Sequence, residues 1–223
     1  MEFLTVRSTI KILDQPVKNS YPRCMARPRA FDDKQVLISV QEQFWDAGYA
    51  ATSLEDLMRV SGLGKGSLYG AFGDKRQLFL RALRGYTDGQ HDQLRKVLAE
   101  TPRAVDALRM LFEAPADDPT GASSLRGCLM ANSTYELGNA DPEVLAHAHR
   151  TYETSAALIA DCVARARREG DVPAETDPIV LARALLAAQQ GIVFMGRTGL
   201  DTATLTATAR SLAAQLLPDR SGD

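Results

Sequence analysis

Cysteine is scarce in this chain: three in 223 residues, Cys24, Cys128 and Cys162. Their wide spacing excludes a disulfide framework and a zinc ribbon, and it fits a reducing cytoplasm. Histidine is equally scarce. His147 and His149 stand two apart and do not share a helical face, while Asp88, His91 and Asp92 read as a solvated, salt-bridged helix face. No Gly-x-Ser-x-Gly, His-Glu-x-x-His or Cys-x-x-Cys occurs, so the common hydrolase, zinc-protease and thiol-redox signatures are missing. The chain is expected to be no enzyme, with no cofactor and no bound metal. A run of 18 apolar residues is also lacking, so no transmembrane helix and no membrane partner are expected. Strand signal is almost absent, and so are internal repeats and low-complexity tracts.

What is present is ordinary globular composition, 45% hydrophobic and 24% charged. The net charge of −2 hides an asymmetry. Residues 1–85 hold 13 Lys and Arg against 9 Asp and Glu; residues 86–223 hold 13 against 19. A basic front and an acidic rear suggest that any polyanion meets the first third; drift between segments would look the same.

Residues 1–24 have no continuous apolar h-region and differ in pattern from the rest of the chain. Met25 opens MARPRAF, which reads like a second start. The first 24 residues are therefore expected to form a flexible N-terminal extension. From Asp32 the pattern is helical. Asp32 with Gln35 resembles a capping box, and Val36, Leu37, Val40 and Phe44 form a stripe that Gly48 ends. Thr52 with Glu55 marks a second box, before a short helix ending at Ser61-Gly62. Asp74 with Gln77 caps a long helix reaching about Ala99. Beyond Pro102 come PRAVDALRMLFEA, a loop APADDPTGASSLR, GCLMANSTYELG, a long segment from Asp141-Pro142 to Gly170, another from Asp177-Pro178, and DTATLTATARSLAAQLL to Pro218. The fold class is all-α with about nine helices. The expected domains are 25–80, a three-helix unit, and 81–223, a larger helical unit.

The informative stretch is GLGKGSLYGAFGDK, Gly62–Lys75. Glycine disfavours helix by roughly 1 kcal/mol per interior position, yet Leu63, Leu68 and Phe72 lie near helical spacing. A short helix, a Ser-Gly turn and a second short helix make a helix-turn-helix, whose second helix enters the DNA major groove. Leu63, Leu68 and Phe72 would hold it from behind. Gly64 and Gly66 would let its backbone approach phosphates, with free N–H groups and the positive dipole end in front. Lys65 can reach a phosphate or a guanine edge; Ser67 and Tyr69 suit the sugar-phosphate backbone. Lys75, and Thr52 and Ser53 on the other flank, add phosphate contacts. A glycine-rich loop with a solvated lysine is the plain alternative. A nucleotide-binding reading of Gly62 and Gly64 fails, because no strand precedes them and position 67 is Ser.

From Phe31 to Leu83 the chain resembles the DNA-binding domain of the TetR family of bacterial transcriptional repressors. The resemblance rests on FWDAGYAATS followed by LEDLMRVSGLGKGSLYGAFGDKRQLFLRAL, with Leu68, Tyr69, Phe72 and Lys75 in the Leu-Tyr-x-x-Phe-x-x-Lys signature. It implies a homodimer that binds a palindromic double-stranded operator, represses, and is released by a small molecule or an electrophile. Family members often read bases with a large residue at the position of Gly70. Here readout would lean on Lys65, neighbouring side chains or DNA shape.

In the rear, Leu181, Leu185, Ala188 and Ile192, then Leu205, Leu212 and Leu216, form apolar stripes, and Ala184 and Ala187 permit close approach. These stripes could bury only the monomer core; the resemblance implies instead a four-helix bundle made with a second copy through the last two helices. The effector, of unknown identity, needs an apolar pocket with a few polar groups. Candidates are Phe112, Cys128, Met130, Asn132, Tyr135, Tyr152, Gln189, Phe194 and Met195. Cys128 opens a helix two residues after Arg126, and both features favour a reactive thiolate. It can equally be a small buried hydrophobe.

Overall fold

The computed structural model describes residues 31–113 and 125–217. The expectations for residues 1–24 and for most of the 114–126 loop lie outside them. Nine helices occur among the described residues: α1 Asp33–Ala47, α2 Leu54–Ser61, α3 Lys65–Phe72, α4 Lys75–Glu100, α5 Ala104–Glu113, α6 Leu129–Leu137, α7 Pro142–Glu169, α8 Pro178–Arg197 and α9 Thr202–Leu216. No strand interrupts them among the described residues.

Most helices start where a short polar side chain can accept an orphan backbone N–H. Asp32, Ser53, Asp74, Asp141, Asp177 and Asp201 do this for α1, α2, α4, α7, α8 and α9. The box at Asp74 and Gln77 forms as expected, with bonds of 2.8 and 3.0 Å. Two other expectations need correction. Asp32 caps through Lys34 N, without Gln35. The box ahead of α2 uses Ser53 and Asp56 rather than Thr52 and Glu55. Thr52 is buried, and its hydroxyl donates to the Gly48 carbonyl at 2.7 Å.

Helices α1–α3 close around Val40, Phe44, Leu57, Leu68 and Phe72, all at most 1% exposed. Phe79 of α4 joins Phe44 and Tyr49 at ring distances of 5.1 and 4.9 Å. The second core takes the end of α4 with α5, α7, α8 and α9, centred on Leu108, Phe112, Ile159, Leu185 and Ile192. Helix α4 runs unbroken through the expected boundary at residue 80, and so belongs to both.

Side chains from α6 and α7 tie the two cores. The Glu136 carboxylate accepts from Tyr49 N and Ala50 N at 2.9 and 2.7 Å. Trp45 Nε1 donates to the Gly127 carbonyl at 3.2 Å. Arg76 forms a two-pronged pair with Asp141 at 2.7 and 2.8 Å and reaches Glu143 at 3.0 Å. This contact holds the Asp141 carboxyl below the usual carboxylate range, with Arg76 as the largest cause.

Helix α8 is 20 residues long with a mean hydropathy of 1.6, long and apolar enough to cross a membrane by composition. Its apolar excess has a second explanation, because it has two apolar faces. Ala182, Leu185, Ile192 and Gly196 are buried. Val180, Ala184, Ala187, Gly191 and Phe194 form an exposed stripe at spacings of four and three.

Candidate functional site

The turn between α2 and α3 is three residues long. Gly62 takes φ 68°, a left-handed conformation that glycine adopts without strain. Leu63 belongs to this turn and is half-buried, so α3 is held from behind by Leu68 and Phe72 alone of the three expected residues. Gly73 ends α3 at φ 85°, and a Cβ there would collide with the Gln77 side chain.

The other glycines are different. At Gly64, Gly66 and Gly70 an added Cβ would meet nothing within 4 Å, and none has a positive φ. Nothing in the fold requires glycine at these three positions. In Gly66 and Gly70 the chain forgoes roughly 1 kcal/mol of helix propensity each. Gly64 is the N-cap of α3 and supplies no side-chain acceptor. Lys65, Gly66, Ser67 and Gly70 are exposed, and Tyr69 is half-buried. The first turn of α3 thus presents backbone donors, a lysine and a hydroxyl on an open surface without an acidic residue. An anion fits this arrangement.

The flanks are more committed. The Ser53 hydroxyl donates to Asp56 Oδ2 at 2.7 Å and accepts from Asp56 N at 3.1 Å. The hydroxyl bond first, then the Ser53 backbone N–H donating to Asp56 Oδ2 at 3.0 Å, then Arg59, bring the Asp56 carboxyl down to about 2. Lys75 Nζ lies over the Tyr49 ring at 4.5 Å. Thr52, buried and bonded inward, offers no side chain to this surface.

A cavity of about 130 Å³ lies among α4, α5, α6, α7 and α8. Of the residues expected in a pocket it brings together Cys128, Met130, Tyr152 and Gln189. A second cavity of about 170 Å³ shares Cys128, Tyr152 and Gln190 with the first, and adds Asn132, Tyr135 and Phe194. Phe112 and Met195 line neither; Phe112 is 2% exposed in the second core. The Asn132 amide donates to the Arg126 carbonyl at 2.8 Å and shapes the turn before α6.

Tyr86, Thr87, His91, Thr151 and Ser155, absent from the expected set, also line the first cavity. His91 is 8% exposed, while Asp88 and Asp92 face solvent, so the expected Asp-His-Asp surface cluster does not form. The signal was the spacing Leu83, Thr87, His91, Leu94 and Leu98, which sets two polar side chains inside an apolar helical stripe.

Cys128 is the N-cap of α6, and its thiol accepts a contact from the Tyr86 hydroxyl at 3.6 Å. Arg126 does not assist it as expected. Its guanidinium pairs with Glu42 at 2.7 Å and Asp46 at 2.8 Å and lies over the Trp45 ring at 4.3 Å. The Nε–H beside Asp46 is not aligned for a hydrogen bond, so that contact is an ion pair only. Burial first, and Cys128 second, push the Tyr86 and Tyr152 phenols well above their ordinary value, so both remain neutral hydroxyls. Cys162 is buried, and desolvation pushes its thiol up. Among the described residues no group of His, Cys, Asp and Glu could hold a metal ion.

Residues 41–82 match the model of bacterial regulatory proteins of the tetR family, and residues 104–212 match that of the tetracyclin repressor-like C-terminal domain. The chain is 29% identical to the uncharacterized HTH-type transcriptional regulator YezE of Bacillus subtilis, over 79% of this chain and 92% of that protein. It is 27% identical to the HTH-type transcriptional repressor ComR of Escherichia coli, over 78% and 83%. Among solved structures it resembles a cysteine mutant of the TetR family regulator CifR complexed with 26-bp double-strand operator DNA. The identity is 26% and the TM-score 0.73, over 84% of this chain and 97% of that one.

Proposed function

The chain belongs to the TetR family of bacterial transcriptional regulators, which are not enzymes, and from that premise we propose that it is a dimeric repressor released from a palindromic operator by a small molecule. The observation that carries the proposal is α3: three glycines that the fold does not require, two of them at its uncapped, exposed N-terminus. A DNA backbone explains them. Phosphates approach the first turn where no Cβ stands in the way. Lys65, Ser67 and Tyr69 contact the strand, Gly66 and Gly70 keep the surface low, and Lys75 and Ser53 mark the flanks. The unit spanning 25–80 carries this contact, and the protein works in the cytoplasm, where bacterial DNA lies.

A two-half-site operator requires two copies. The exposed stripe of Val180, Ala184, Ala187, Gly191 and Phe194 on α8, with Ala203, Ala207 and Ala214 on α9, supplies a face for the second copy. The leucines expected at that seam have another role: Leu185, Ile192 and Leu205 are buried in the chain's own core, with Leu181, Leu212 and Leu216 half-buried against it. Small residues on the outside support close helix packing. The rear unit, 81–223, then holds both the dimer face and the effector cavity. Glu136, Trp45 and Arg76 connect that unit to the DNA-binding helices.

The test is a shift assay with DNA from upstream of the protein's own gene at two salt concentrations. Saturable binding to one palindrome that weakens at high salt supports the proposal. A folded dimer that binds no DNA at either salt removes it. An electrophile could act in place of a reversible ligand, since Cys128 lines both cavities. Release by iodoacetamide that survives Cys128→Ser rules that route out.

A further inference from the structure

The first cavity carries chemistry that restricts the molecule it accepts. The His91 ring forms part of the cavity wall and is more than nine-tenths buried. Its Nε2 lies 3.1 Å from the Thr151 carbonyl and 3.2 Å from Ser155 Oγ. A carbonyl oxygen only accepts, so Nε2 carries the hydrogen. In its neutral form such a ring presents Nδ1 as a bare acceptor. Among the described residues Nδ1 has no hydrogen-bond partner. Nor is it sealed in the core, because among the described residues the sealed side-chain atoms without a hydrogen bond are Nε of Arg126 and Arg165. An unpartnered acceptor that opens onto a cavity is placed to take a donor from a ligand or from water.

The remaining wall restricts that donor. No Asp, Glu, Lys or Arg lines the cavity. A charged ligand would shed its hydration there without a counterion. Leu94, Leu111, Ile159 and Leu186 provide apolar walls, and the sulfurs of Met130 and Cys128 are suited to an aromatic ring. The volume of about 130 Å³ approaches that of cavities of about 150 Å³ that hold benzene. Given that the rear unit binds an effector, as proposed above, we infer that the effector is a small, uncharged hydroxyaromatic molecule: one ring in the cavity, its hydroxyl donating to His91 Nδ1. A substituent on the ring has room to extend past Cys128 and Tyr152 into the second cavity, whose wall they share.

The probes are phenol, toluene and benzoate, titrated calorimetrically into the full-length protein without DNA. Phenol should bind at least tenfold more tightly than toluene, the gain of one hydrogen bond to a buried acceptor, and benzoate should bind least. His91→Phe, which keeps the ring and removes the acceptor, should erase the phenol preference. If that variant does not fold, ring-nitrogen NMR of the wild type replaces it: the His91 Nδ1 resonance should shift with phenol and not with toluene. Equal affinity for phenol and toluene, tighter binding of benzoate, or an unmoved Nδ1 resonance overturns the inference. Operator release is scored separately. Phenol that fits the cavity but leaves the DNA complex intact supports the site chemistry and removes the effector reading; a folded protein that binds no probe, yet binds its operator, removes the site chemistry alone.

Discussion

Two helices open on residues that give no side-chain cap, and they do so for opposite reasons. Helix α3 begins at Gly64 and α6 at Cys128, against six helices capped by Asp or Ser. At Gly64 an added Cβ would meet nothing within 4 Å, and residues 64–67 of the first turn are exposed. At Cys128 the terminus is enclosed: Tyr86 touches the thiol, Asn132 holds the preceding turn, and two cavities meet there. A missing cap therefore does not identify a site. The surroundings decide whether the vacant end serves a partner outside the protein or the shaping of a cavity within it.

The sharpest way to break this comparison is to cap α3. Gly64→Asp should leave stability unchanged or higher by a few tenths of a kcal/mol, since Asp is a slightly better N-cap than Gly. The same carboxylate would stand against phosphate, and like charges in contact cost several kcal/mol. Operator affinity, read by gel shift, should fall by on the order of 100-fold. A capped variant that binds normally would show that α3 does not approach DNA by this end. Gly66→Ala is the milder version. It should raise stability by about 1 kcal/mol in urea unfolding, and weaken operator binding by about tenfold if backbone and phosphate are in contact. Improvement in both would make Gly66 an accident of sequence.

At the enclosed terminus the expected signs reverse. Cys128→Ala removes the partner of a buried Tyr86 hydroxyl and should cost about 1 kcal/mol of stability. DNA affinity without ligand should not change, because the residue lies in the rear unit. A loss of operator binding at unchanged stability would place Cys128 in the coupling between the units.

The sequence made the front half legible and the rear half only in plan. Helix starts at Asp74, Asp141 and Asp177 are local events, written in one side chain and the next few backbone N–H groups. Leu68 and Phe72 are likewise read from spacing. The Thr52 and Ser53 ambiguity was invisible because either hydroxyl can cap; the contact of Thr52 with the Gly48 carbonyl decided it. Cavity residues come from five helices, so their meeting is a tertiary fact. His91 was legible as a polar residue in the α4 stripe, but His147 was not: it lies across on α7, bonded to Thr87 at 3.1 Å. Burial first, then Arg150 and Arg84, keep it below the usual histidine range. Inward and outward apolar residues on α8 share one composition, and only packing tells them apart.

The smallest effect concerns the pair of neighbours α2, capped, and α3, uncapped. The Asp56 carboxyl is lowered from its ordinary 3.8 to about 2 in the folded chain, chiefly because it accepts from Ser53. A depressed carboxyl stabilises the fold above its unfolded value and loses that contribution as pH falls through the folded one. The Asp56 contribution should therefore be complete at about pH 5 and decline from about pH 4 toward about pH 2. Asp141 and Asp201 are lowered too, so the difference between wild type and Asp56→Asn isolates it. That difference in urea midpoint should be present at about pH 5 and shrink as the acid is approached. Helix α3 carries no carboxylate, so it should show no titration of its own, and its amide exchange should change only as α2 loosens beneath it. Protection lost first in α3 would mean that the uncapped helix is the weaker partner even without its ligand.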